Sequence, residues 1–320
     1  MSEAAADAMN AMIVPFPARP PRVASLPAPL THFVGRESEA SAVSALLSRE
    51  DVRLVTLTGP GGVGKTRLGL RVTSQLAPDF AGGAVFVPLA AVRDPDLVPA
   101  AIALALDIRD GEDKPPAERL RLFLRDREML LLLDNFEQVT DAGPFVAELL
   151  VGCPGLTVLV TSRAALHLSG ERVFAVPPLA LPPRAASGGG DISPLTLPDV
   201  AAVKAVRLFV DRAESAAGAF TLTAENAPAV VAICERADGL PLAIELAAAR
   251  TALLSPEALL ARLDPRLPLL ADGPRDQPDR LRTMHDAIVW SYISSPRRNK
   301  RVSGVWRSSS ADARSTARSG

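Results

Sequence analysis

The chain is 320 residues long, enough for two compact domains plus flexible ends, and its 35 basic against 36 acidic residues leave a formal charge of −1. That balance excludes a whole-chain electrostatic footprint for nucleic acid or an anionic membrane. Cys153 and Cys234 stand far apart with no CxxC or Cys/His cluster, and no apolar run approaches the ~20 residues of a membrane span, so a zinc site, a disulfide framework and a membrane anchor are not expected and a cytoplasmic location is.

Residues 1–28 are rich in Ala and Pro, with Pro15, Pro17, Pro20, Pro21 and Pro27 opposing regular structure, and read as a mobile leader. The first folded domain, expected over 29–176, begins at Leu30-Thr31-His32-Phe33-Val34-Gly35-Arg36-Glu37 and runs into a helix with Ala42, Val43, Leu46 and Leu47 at helical spacing. Val52 to Thr58 then alternates apolar and polar residues as a strand does.

Directly after that strand stands Gly59-Pro60-Gly61-Gly62-Val63-Gly64-Lys65-Thr66, the phosphate-binding pattern G-x-x-x-x-G-K-[ST]. It is followed by Arg67 and a helix carrying Leu68, Leu70, Val72 and Leu76. Glycine is needed in such a turn because a Cβ would hinder both positive φ and the close approach of backbone N–H groups to phosphate oxygens. The helix N-terminus adds partial positive charge, Lys65 is placed to reach the β and γ phosphates, and the Thr66 hydroxyl is placed for Mg²⁺.

Ala84 to Leu89 reads as a second strand, with helices over about 96–107 and 116–128 around a loop at Asp110-Gly111-Glu112-Asp113. Met129 to Leu133 is a continuous apolar run suited to a strand buried on both faces of a parallel sheet, ending in Asp134-Asn135-Phe136-Glu137. An aspartate at that end is a Mg²⁺ partner candidate. After a helix over about 141–151, Leu156 to Thr161 is another buried strand, ending in Ser162 and Arg163, whose guanidinium is a candidate γ-phosphate sensor. Arg172 to Val176 is a fifth.

Prolines and the Ser187-Gly188-Gly189-Gly190 run mark 177–199 as a linker. A helical domain is expected over 200–272: Val203, Val206, Leu208 and Phe209 share one helix, Val230, Val231, Ile233 and Cys234 the next, and Asp238 to Ala243 turns into a third. Ser255-Pro256-Glu257 reads as a helix start.

In order along the chain, Phe33-Val34-Gly35-Arg36-Glu37, the glycine-rich loop, Leu132-Leu133-Asp134-Asn135, Val160-Thr161-Ser162-Arg163 and Gly239-Leu240-Pro241-Leu242 form a specific set. With them the sequence resembles the signal-transduction ATPases with numerous domains, namely the AP-ATPase or NB-ARC-like modules of LuxR-type and related regulators. The resemblance implies an α/β P-loop NTPase domain with a five-stranded parallel sheet of AAA+/ASCE type, then an all-α lid and a partial winged helix over 273–296. It implies an ATP/ADP switch with Mg²⁺ at Thr66 and Asp134, and slow hydrolysis. Val34, Gly35 and Arg36 would lie against adenine and ribose, and Pro241 would close over the nucleotide. Protein partners or self-association are expected; a DNA-binding domain is not.

Three features depart from the family pattern. Asn135 stands where an acid would orient the attacking water, leaving Glu137 as the substitute. Met284-His285-Asp286 spells the family's nucleotide-sensing motif, but it follows Gly239-Leu240-Pro241-Leu242 too soon and reads instead as part of a winged-helix helix. The Ser/Arg-rich segment 297–320 lacks apolar periodicity and is expected to be disordered; codons compatible with it can encode, in a shifted frame, a stretch of the kind the family has there, and the expectation is a frameshifted, truncated end. The competing reading is a basic contact to nucleic acid or an anionic surface.

Overall fold

The computed structural model describes residues 26–108, 114–183 and 196–263. The leader up to residue 25, the loop at 110–113, most of the linker, the partial winged helix, the Met284-His285-Asp286 motif and the basic segment lie outside the described residues. Two compact units separate between Pro177 and Pro178, with the four loop residues Pro60–Val63 grouped with the second.

The first unit is a parallel sheet with helices between its strands: α1 (Glu37–Leu47), β1 (Leu54–Thr58), α2 (Lys65–Leu76), β2 (Ala84–Pro88), α3 (Val98–Ala105), α4 (Pro116–Leu124), β3 (Met129–Asp134), α5 (Gly143–Gly152), β4 (Leu156–Thr161) and β5 (Glu171–Ala175). Its five strands lie in the order β2-β3-β4-β1-β5. Both β3 and β4 are buried along their whole length, as continuous apolar runs require in a sheet covered on both faces. Each fully buried Leu among Leu130–Leu133 contributes roughly 1.5–3 kcal/mol relative to exposure.

The strand inserted between β1 and β3 sets up the site. Leu54 pairs with Val158 across β1 and β4, and Leu133 pairs with Val160 across β3 and β4, so all three strands end side by side. In parallel sheets ligands bind beyond that carboxyl edge.

Several helix details differ from the sequence expectation. Ala40 rather than Ala42 is on the buried side of α1. The two helices expected over 96–107 and 116–128 are shorter, the first stopping where Asp107 turns to a positive φ of 53°.

The second unit holds α6 (Leu197–Ala202), α7 (Lys204–Ala217), α8 (Ala227–Arg236), α9 (Pro241–Ala249) and α10 (Pro256–Arg262). The α6 helix begins inside the segment read as linker. Pro198 is in its first turn, where a missing N–H costs nothing, and Asp199 Oδ2 accepts from the Thr196 N–H at 3.0 Å. Val203 breaks what reads as one helix by taking extended geometry (φ −64°, ψ 129°) between α6 and α7. Both cysteines are buried free thiols; burial pushes Cys153 up and Cys234 up to about 12, so both are packing residues.

Helix α2 reaches the sheet because Gly69 has no side chain: a Cβ there would stand 3.0 Å from Leu132 Cδ1 and 3.5 Å from Thr161 Cγ2. Gly69→Val is expected to lower stability in urea denaturation by about 2 kcal/mol, overpacking outweighing the better helix propensity. At Gly152, where a Cβ would meet nothing within 4 Å, Ala is expected to be neutral or stabilising by up to about 1 kcal/mol.

Candidate functional site

The loop Gly59–Thr66 leaves the end of β1 and enters α2 at its first residue, Lys65. Three of its glycines have positive φ: Gly59 at 147°, Gly62 at 76° and Gly64 at 93°, the last as the N-cap of α2. A turn of this shape suits few residues but glycine. Lys65 is 8% exposed and its Nζ donates to the Gly59 carbonyl at 2.8 Å, which curls the side chain back over its own loop.

One oxygen joins three elements. Asp134 Oδ1, at the end of β3, accepts from the Thr66 hydroxyl at 2.7 Å and from the Thr161 hydroxyl, at the end of β4, at 2.6 Å. Thr161 Oγ1 in turn accepts the Asn135 N–H at 3.0 Å. Asn135 takes a left-handed conformation (φ 63°, ψ 41°), and the chain then makes a short 3₁₀ turn, Phe136–Gln138, anchored by fully buried Phe136. That turn sets the Glu137 carboxylate 3.4 Å from Arg163 Nε, both side chains being less than a tenth exposed.

Burial governs the charges here. It pushes Asp134 above the ordinary carboxylate range despite its two hydroxyl hydrogen bonds, which act the other way. It also lowers Lys65, opposed by the negative Glu137 and Asp134 nearby. Both groups are thus held where their charged forms are costly until an opposite charge arrives.

Val34, Gly35 and Arg36 lead into α1. Arg36 is buried, its Nη2 donating to Pro177 O at 2.7 Å, and burial lowers its pKa. Arg67 points to this approach segment, donating to the Thr31 carbonyl at 3.1 Å and hydroxyl at 2.8 Å and to His32 O at 2.7 Å. In the second unit Pro241 is the first residue of α9, and the Leu242 N–H donates to the carbonyl of Gly62, a loop residue grouped with that unit, at 3.2 Å. The structure therefore brings Lys65, Thr66, Asp134, Glu137 and Arg163 to one sheet edge. Sequence reading left the Thr161 hydroxyl out of the metal-side set, because only the register of β4 against β3, one past the Leu133↔Val160 pair, sets it beside Asp134.

Among the described residues no group of three or more His, Cys, Asp or Glu side chains is placed to hold a metal ion by itself. The Thr66 and Asp134 oxygens instead offer a hydroxyl and a carboxylate, hard ligands of the kind Mg²⁺ takes alongside phosphates and water. No helix among the described residues is long and apolar enough to cross a membrane.

Sheet order, glycine-rich loop and strand-end aspartate define the P-loop NTPase fold of AAA+/ASCE type. No protein-family model matches the chain. It is similar to an uncharacterized protein of Mycobacterium tuberculosis (39% identity over 272 residues, 84% of this chain and 64% of that protein). It is also similar to a protein of that organism named "Putative HTH-type transcriptional regulator" (39% over 249 residues, 78% of this chain and 26% of the relative). A third relative is the regulatory protein AfsR of Streptomyces griseus (32% over 154 residues, 45% and 15%). The match thus spans less than two thirds of each relative's length. Solved structures with a similar fold include the Aeropyrum pernix ORC2 protein (TM-score 0.47, 13% identity, 76% of this chain and 71% of that one). A signal-transduction ATPase with numerous domains from Pyrococcus horikoshii, carrying a tetratricopeptide-repeat sensor, is another (TM-score 0.41, 14%, 70% and 30%). The recognition of an ATPase module of multidomain regulators, made from the motifs, stands with these relatives.

Because Asp134 is raised by burial, its contribution to stability is full below its unfolded value and is lost as pH rises through the folded one. Asp134→Asn keeps an oxygen acceptor for both hydroxyls and removes the buried charge. Urea denaturation of the nucleotide-free protein is expected to find the variant no less stable at pH 4 and more stable by pH 7. Equal stability at both values would contradict a buried, ionised Asp134.

Proposed function

We propose that this chain is the nucleotide-binding switch module of a signal-transduction or transcriptional regulator, binding ATP and ADP with Mg²⁺ and hydrolysing ATP slowly. The observation that carries the reading is the meeting of the loop Lys65–Thr66 with Asp134 at one sheet edge, a buried cation and a hydroxyl–carboxylate pair at a helix N-terminus.

In this reading the loop backbone and Lys65 hold the phosphates; Lys65 exchanges the Gly59 carbonyl for phosphate oxygen. Thr66 and Asp134 hold Mg²⁺, which would supply charge neutralisation at the phosphates. Thr161 orients the Asp134 carboxylate. Val34, Gly35 and Arg36 border adenine and ribose, and Arg67 braces that segment through Thr31 and His32. Pro241 belongs to the closing helical unit. Glu137 stands in for the acid missing at Asn135, and Arg163 reports on the γ phosphate. A switch of this kind works through contacts that differ between the two nucleotides, so slow turnover is compatible with its task.

An efficient stand-alone ATPase is disfavoured by Asn135 and by the engagement of Glu137 with Arg163. That engagement favours, as the second reading, a module that holds nucleotide without turning it over. DNA binding is not proposed for these residues.

Protein purified without added nucleotide, then denatured and resolved by ion exchange, is expected to release stoichiometric ADP. Lys65→Ala is expected to release none and to bind added ADP and ATP at least about 100-fold more weakly, roughly 3 kcal/mol. Since Lys65 is a buried cation, the variant should not be less stable without nucleotide. Retained affinity in Lys65→Ala would refute the site. Phosphate release under saturating ATP separates slow turnover from none.

A further inference from the structure

A groove of about 540 Å³ runs along the outward side of α2, with residues 26–33 as its other wall. Arg67, Leu70, Arg71 and Ser74 face it from α2, an i, i+3, i+4, i+7 stripe on the side away from the buried Leu68, Val72 and Leu76. Neither the loop Gly59–Thr66 nor Val34, Gly35 and Arg36 lines it, and the whole groove belongs to the first unit. Its volume falls within the roughly 300–1,000 Å³ of small-molecule sites.

Two guanidiniums and the His32 imidazole line the groove, and no carboxylate does. Neither α2 nor residues 26–36 contain any Asp or Glu, in a chain whose formal charge is only −1. Arg71 is exposed; among the described residues its guanidinium has no hydrogen bond or ion pair, and it stands 5.8 Å from the centroid of the Phe33 ring. Leu30, on the opposite wall, keeps 88% of its surface exposed, so the fold itself leaves apolar surface uncovered here. Both walls are in place before any ligand arrives. Pro27 and Pro29 stiffen the segment, and Arg67 fastens it to α2 through the carbonyls of Thr31 and His32 and the Thr31 hydroxyl. A ligand that fits brings negative charge for Arg71 and an apolar body for Leu30, Phe33 and Leu70.

We propose that this groove is a second ligand site, for a small anion with an apolar body, and that its occupant biases the affinity for nucleotide. The binding stands on the groove alone; the bias rests on the nucleotide-switch reading above. Shared walls carry that bias. Arg67 follows Thr66, whose hydroxyl bonds Asp134, and Phe33 precedes Val34 at the proposed adenine border. An occupant that shifts the fastening of Arg67 to Thr31 and His32 therefore acts on both borders, and linkage makes the effect reciprocal.

The dye 1-anilinonaphthalene-8-sulfonate has this chemistry, and 1-anilinonaphthalene is the same body without the charge. Fluorescence titration of the full chain, with saturating Mg²⁺ and ADP, is expected to find one sulfonate dye bound per chain and the uncharged dye bound at least about tenfold more weakly. Arg71→Glu is expected to weaken the sulfonate at least about tenfold and the uncharged dye less than about threefold. Ser74→Trp, which fills the groove with an indole, is expected to abolish both. An unchanged urea midpoint, and ADP affinity near the parent's without dye, report that each variant is intact; if Arg71→Glu does not fold, Arg71→Gln takes its place with the same readout. Bound sulfonate is expected to change the ADP dissociation constant about fivefold, and ADP to change that of the sulfonate by the same factor. Strict competition between dye and ADP would overturn the proposal, because the groove would then be an arm of the nucleotide site. So would dye binding that ignores both substitutions, or dye and ADP constants that do not affect each other. No dye binding would also overturn it, and leave the groove to an acidic protein segment. A parent that binds the dye but neither nucleotide would instead sink the switch reading and leave the ligand site standing.

Discussion

The hydrogen bonds that converge on Asp134 Oδ1 hold the active edge together. The carboxylate ties the start of α2, through Thr66, to the ends of β3 and β4, through itself and Thr161. Each hydroxyl bonding to a charged oxygen contributes roughly 1.5–3 kcal/mol, yet burial still raises the group's pKa, so the arrangement is held by geometry more than by comfort. The close approach of α2 at Gly69 is part of the same construction, because it brings the Thr66 end of the helix within reach of the strands. Shift the helix outward and the oxygen loses a partner.

Four charged side chains, Lys65, Asp134, Glu137 and Arg163, gather at that edge. Lys65 is folded back on Gly59, and Glu137 Oε1 lies 3.4 Å from Arg163 Nε. Two unit charges 4 Å apart interact by about 4 kcal/mol at an effective dielectric constant of 20, so small displacements of such groups are enough to favour one occupant over another.

What could be read from the sequence was whatever is local. The glycine-rich loop announces itself because its residues are consecutive, and the β3 strand with its terminal aspartate because a continuous apolar run of that length suits a strand buried on both faces. Arg163 could be proposed from its place after β4. Its meeting with Glu137 could not, since that depends on the left-handed turn at Asn135 and on how far the Phe136–Gln138 turn swings the chain. The hydroxyl of Thr161 is another long-range matter: only the register of β3 against β4 puts it beside Asp134. The start of α6 was written locally, as Thr196 and Asp199 three residues apart around Pro198, but prolines nearby made the stretch look like linker. The break at Val203 has no comparable local mark.

The hydrogen bond from Arg36 to the carbonyl of Pro177 closes the first unit on itself, fastening residues 141 positions apart at the points where the chain arrives and departs. A unit stitched in this way is a cassette. It can sit early or late in a longer polypeptide, or be spliced between other modules, without either end having to thread past the sheet. Cutting that stitch would loosen the seam of the cassette where its two ends meet.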